Sequence, residues 1–169
     1  MIKINWKKLL VRVSIPVIGG VASGYIANRV NKSHSTEEQY SKLKSPPGSP
    51  APLVFPIVWT GLYTTMGIAY HLVKEERKHS NVESTSYYAQ LGLNMLWSYL
   101  FFGLRLRGIA LIECFILLST ILLTSYQFGK VSKTAGKLML PYIMWTTFAT
   151  YLNAGTWYLN RNLSKLEEE

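Results

Sequence analysis

The chain has 169 residues, of which 49 % are hydrophobic, 13 % aromatic and only 16 % charged, against about 25 % charged in soluble proteins. All nine acidic residues are Glu; the lack of Asp excludes Ser-His-Asp triads and most Asp-held magnesium sites, and a single cysteine, Cys114, excludes an internal disulfide framework or a multi-cysteine zinc site. The net charge of +9 sits in short basic groups between long apolar runs, the flanking expected of membrane spans rather than the basic patch of a nucleic-acid-binding fold.

Five stretches meet the need for about 20 largely apolar residues to cross a bilayer. The first covers residues 9–30, with Arg12 near its start and no further charge until Arg29. Its apolar part outlasts the core of a signal peptide and is followed by no small-residue cleavage site, so it reads as a retained helix. Gly20 and Gly24 put a small-residue face on it, suited to close helix approach within one chain or across a dimer. A long loop, 31–52, ends in Ser45-Pro46-Pro47-Gly48-Ser49-Pro50-Ala51-Pro52. Proline fixes φ and removes donors, so this segment is stiff and extended, either a linker or a lid over one end of a bundle.

The second stretch, 53–73, opens Phe55-Pro56-Ile57-Val58-Trp59 and carries Trp59, Tyr63 and Met66 on one stripe. The third, 87–104, has Asn94 and Trp97 three residues apart, on one helical face. The fourth, 108–128, contains one ionisable residue, Glu113, which is costly in lipid and expected to face the interior. The fifth, 138–159, aligns Trp145, Ala149, Leu152 and Asn153. The result is an all-α, integral membrane bundle of five transmembrane helices in one membrane domain, with the lipid bilayer as its surroundings and no nucleic-acid partner. Lys and Arg number ten on one side and eight on the other, too even a split to set orientation. His34, His71 and His79 lack metal-ligand spacing, so no metal site is expected. Trp59, Trp97 and Trp145 lie well inside their spans and therefore point to an interior role rather than the headgroup belt.

Three segments carry a resemblance: Phe55 to Gly67, Leu93-Asn94-Met95-Leu96-Trp97 onward to Arg105, and Pro141-Tyr142-Ile143-Met144-Trp145 onward to Asn153. Together they resemble the signatures of the translocator protein family (TspO/MBR), also called tryptophan-rich sensory proteins or peripheral-type benzodiazepine receptors. The resemblance covers about residues 16–157. It implies a five-helix membrane bundle, often a homodimer, whose pocket is capped by the first loop and binds cholesterol, protoporphyrin IX, haem or benzodiazepine-type ligands. It further implies transport of such ligands, and a membrane that is the mitochondrial outer one in a eukaryote or the cell membrane in a bacterium. No cofactor is required; porphyrin or haem enters as a ligand.

Carried over position by position, the resemblance implies ligand-binding roles for Trp59, Tyr63, Asn94, Trp97, Ile109, Trp145, Ala149 and Leu152. Flat π-faces stack on a macrocycle or sterol while one amide orients a polar edge. Bacterial relatives that degrade protoporphyrin with light and oxygen use tryptophans matching Trp59 and Trp145, the two catalytic candidates for that alternative activity. A shifted form of the sterol motif of animal members falls on Leu152, Tyr158 and Arg161. The chain departs from the family at Gly48, where the loop pattern has a tryptophan, and at Ile109, where an aromatic is common; both changes argue against strong affinity for drug-like ligands.

Overall fold

The computed structural model describes residues 5–30, 42–77 and 81–161. Five long helices and one short helix organise them: α1 Trp6–Val30, α2 Val54–Glu76, α3 Asn81–Ser98, α4 Arg107–Val131, α5 Lys133–Leu138 and α6 Leu140–Asn160. No strand occurs among the described residues. Two helices, α1 and α4, are long and apolar enough to cross a membrane. The histidines His34 and His79 lie outside the described residues, as do residues 31–41 of the loop 31–52.

The bundle packs around α4, which touches α3, α5 and α6, while α1 lies along α2. Antiparallel order puts the start of α1, the end of α2 and the start of α3 at one end. At that end Arg12 donates from Nη1 to Glu75 Oε1 (3.0 Å) and His71 Nδ1 (2.9 Å), and Arg77 pairs with Glu83 at 3.0 Å. The core begins just below, where the Tyr70 and Tyr87 rings stack in parallel at 4.2 Å and Phe128 closes the cluster. Each of these rings buries large apolar area at low conformational cost.

Glycines allow α1 to approach α2. A Cβ on Gly67 would sit 2.6 Å from Val13 Cα, so no larger residue fits that backbone-to-backbone contact. Gly20 meets the Tyr63 ring just as closely. That half of the small-residue face therefore packs inside the chain, whereas Gly24 has no neighbour within 4 Å of its absent side chain.

The third helix differs from its apolar stretch at both ends. It starts at Asn81, ahead of the apolar stretch, with Glu83 in its first turn, and it widens into a π-helical turn at Tyr99–Gly103. There Leu104 N–H reaches back to Tyr99 O at 2.9 Å. Arg105 takes the left-handed conformation with φ of 57°, a costly backbone state for a residue with a Cβ, and the chain reverses into α4. The fifth stretch is likewise divided. Short α5 packs against α2 and α4, and Pro141 occupies the first turn of α6, where its missing N–H costs nothing.

Candidate functional site

The site is built from the parting of α1 and α2. The two helices touch at Val13 and Gly67, and toward the opposite end a hollow of about 530 Å³ lies between them and the end of α3. Val17, Val21 and Gly24 of α1 form one wall, and Phe55, Trp59 and Tyr63 of α2 a second. Trp97 and Phe102 close the third side, with Pro52 and Leu53 at the rim. The π turn is what delivers Phe102 there. It also stacks Phe101 on Trp97 at 5.0 Å, fixing the indole plane. One side is open: Val21 is 69 % and Leu53 71 % exposed.

Behind the aromatic wall runs a buried hydrogen-bond bracket. Tyr63 donates from its hydroxyl to Asn94 Oδ1 at 2.6 Å, and Asn94 Nδ2 donates to the Tyr142 hydroxyl at 3.1 Å. Trp59 stacks on Tyr63 (5.5 Å) and meets Tyr142 edge-on (6.1 Å). Asn94 is buried and does not reach the hollow surface; its amide ties two phenols from different helices, and those phenols hold Trp59.

The residues singled out in the sequence thus divide. Trp59, Tyr63 and Trp97 share the hollow. Trp145 lies one layer back, edge-on to the wall residue Phe55 at 5.9 Å, with its Nε1 buried and without a hydrogen-bond partner among the described residues. Leu152 is buried, Ala149 half-buried, and Ile109 is 51 % exposed on the outside of α4; none of the three lines the hollow. Leu152 faces inward while Tyr158 is exposed with the Arg161 guanidinium over its ring at 4.4 Å, so these three do not share one face. Glu113 is buried, and among the described residues neither carboxyl oxygen has a hydrogen-bond partner. Asn153 Nδ2 donates to Arg107 O at 3.1 Å, pinning α6 to the start of α4.

Sequence reasoning missed the α1 wall and Phe102. The Gly20/Gly24 spacing was the available signal, but it reads equally well as helix contact. Residues 42–53, the described part of the loop read as a linker or a lid, form a strap along α6. Lys44 exchanges two hydrogen bonds with the Asn160 side chain, and Tyr151 donates from its hydroxyl to Pro47 O at 3.1 Å.

The profile of the TspO/MBR family matches residues 12–159. The chain belongs to the TspO/MBR family. It is 37 % identical to the tryptophan-rich protein TspO of Chlorobaculum tepidum, over 72 % of this chain and 78 % of the relative. It is 35 % identical to the tryptophan-rich sensory protein of Cereibacter sphaeroides, over 75 % and 79 %. The translocator protein of Homo sapiens is 34 % identical, over 70 % and 72 %. In this TspO/MBR member Trp59 and Trp97 lie on the hollow and Trp145 behind it.

Proposed function

We propose that this TspO/MBR protein is a multi-pass membrane protein that binds hydrophobic planar ligands, a sterol or a tetrapyrrole such as protoporphyrin IX or haem, and passes them along. The hollow carries this reading. Its volume of about 530 Å³ lies within the roughly 300–1,000 Å³ of small-molecule sites, and two indoles and a phenol ring line it. The glycine at position 24 keeps the facing wall smooth. The open side between Val21 and Leu53 faces outward from the bundle, where lipid tails would lie, so a ligand dissolved in the bilayer enters without crossing water.

All five long helices span the membrane in this reading. Residues 54–73 of α2 and all of α6 contain no Lys, Arg or Glu; their hydropathy is lowered by Thr, Tyr and Trp, groups that α-helical bundles in lipid accommodate through internal hydrogen bonds. The strap acts as a lid at the rim. The exposed apolar face of α1, with Val11, Ile15 and Ile18, meets lipid or a second copy in a homodimer. The membrane is the mitochondrial outer membrane in a eukaryotic cell and the cell membrane in a bacterium.

The test is a titration of the purified protein in lipid nanodiscs with protoporphyrin IX, haem and cholesterol. Tryptophan quenching and a shifted Soret band are expected with the porphyrins. Trp97→Ala, which removes one wall, should weaken porphyrin binding by about tenfold, a stacking contribution of about 1–1.5 kcal/mol, with helical content unchanged. Equal affinity in the variant refutes the assignment of the hollow. A second reading, light- and oxygen-dependent degradation of a bound porphyrin, draws on Trp59, an oxidisable indole on the wall. Soret loss under illumination that Trp59→Phe abolishes supports it.

A further inference from the structure

We propose that Asn160 is a positioning residue: its amide latches the strap to the end of α6 and so sets how fast a ligand enters and leaves the hollow. The proposal rests on the ligand-binding reading above.

Asn160 is the last residue of α6 and is only 2 % exposed. Its Oδ1 accepts from the Lys44 backbone N–H at 3.0 Å, and its Nδ2 donates to the Lys44 carbonyl at 2.9 Å. One side-chain amide thereby satisfies both backbone groups of a strap residue, as a neighbouring β-strand would. A third bond, Nδ2 to Thr156 O at 2.7 Å, holds the amide in that orientation. The chemistry suits the location: a non-helical segment at the edge of a membrane bundle must find partners for its backbone groups within the protein.

The attachment continues along α6. Tyr151 bonds Pro47 O, and Pro46 lies so near Gly155 that a Cβ there would come within 2.6 Å of it. The chain then turns, with Ser49 Oγ on Pro46 O at 2.7 Å and Gly48 at a φ of 80°, and runs through Pro50 to Pro52. Four prolines in seven residues leave it few conformations. At its far end Pro52 and Leu53 form the rim of the hollow, and Val54 N–H on Ala51 O (2.9 Å) joins it to α2. A stiff segment held at one end by Asn160 has its other end held too. Thus α6 contributes nothing to the hollow's walls yet controls the rim.

The experiment compares wild type, Asn160→Asp and Tyr151→Phe in nanodiscs by hydrogen exchange of the strap amides and by stopped-flow tryptophan quenching with protoporphyrin IX. Asp keeps the acceptor for Lys44 N–H but sets an oxygen against the carbonyls of Lys44 and Thr156. Faster strap exchange is expected, with association and dissociation rates both raised on the order of tenfold, as loss of about one hydrogen bond allows. Tyr151→Phe should raise both rates by less. It also decides the matter if Asn160→Asp loses helical content, because its hydroxyl makes no bond within α6. Strap exchange or ligand rates that stay at wild-type values in both variants overturn the latch alone. A wild-type protein that protoporphyrin does not quench overturns the ligand reading and this proposal with it.

Discussion

Replacing Asn94 by Ala removes the one side chain that joins the phenols of Tyr63 and Tyr142. Two buried hydrogen bonds disappear together. Inter-helical bonds in membrane proteins contribute about 0.6 kcal/mol on average and up to about 1.7, so Asn94→Ala should destabilise the bundle by about 1–3 kcal/mol. Thermal unfolding in detergent micelles, followed by circular dichroism, measures the loss. Specificity comes from a double-mutant cycle. Tyr63→Phe removes one of the same two bonds, so the Asn94→Ala/Tyr63→Phe protein should be more stable than the sum of the single losses allows, by about 0.6 kcal/mol or more. Porphyrin affinity should also fall, through the loosened stack of Trp59 on Tyr63 rather than through a lost ligand contact. Strict additivity in the cycle, or a variant as stable as wild type, refutes the bracket. A polar ligand group that normally contacts Asn94 would instead give weakened binding at unchanged stability.

Two further substitutions and one titration probe the same structure. Gly24→Leu puts a side chain into open space on the α1 wall, so it should lower ligand affinity at least about tenfold at normal stability, whereas Gly20→Leu, which meets the Tyr63 ring, should destabilise the bundle by about 1–3 kcal/mol; paired ligand titrations and melting curves distinguish them, and unaltered binding in Gly24→Leu counts against the hollow. At the other end, the hydrogen bond from Arg12 holds the Glu75 carboxyl below its ordinary value of 4.5. A depressed carboxyl stabilises the fold above the unfolded value and loses that contribution as pH falls through the folded one. Melting temperature should therefore drop on acidification below about pH 4.5, and less steeply in Glu75→Gln; parallel slopes in the two proteins exclude the ion pair as the cause.

Much of the architecture was legible in the residues. Long uncharged runs, basic flanks and the Pro-rich segment are local properties, and a backbone in lipid has few options besides a helix, so composition and spacing suffice to read an all-α chain, while the family is carried by the resemblance of three motif segments. The motif tryptophans were legible as interior groups for the same reason. Their division was not. Helical periodicity says that Asn94 and Trp97 share a face, but not that Asn94 stops at two tyrosines 31 and 48 residues away while Trp97 reaches the hollow. Trp145 shares the expected face with Leu152, yet the ring of Phe55 lies between it and the hollow.

What the order of amino acids determined by itself is therefore the helical character of the five apolar stretches and, through their motifs, the family. The tertiary structure alone decided which of their faces enclose a space. That depends on where α1 and α2 touch at Gly67, where the π turn carries Phe102, and how a strap residue meets Asn160 across 116 positions. The physical reason is range: hydropathy and helical period act within a few residues, whereas a hollow is the space left between helices whose crossing points are fixed by individual close contacts.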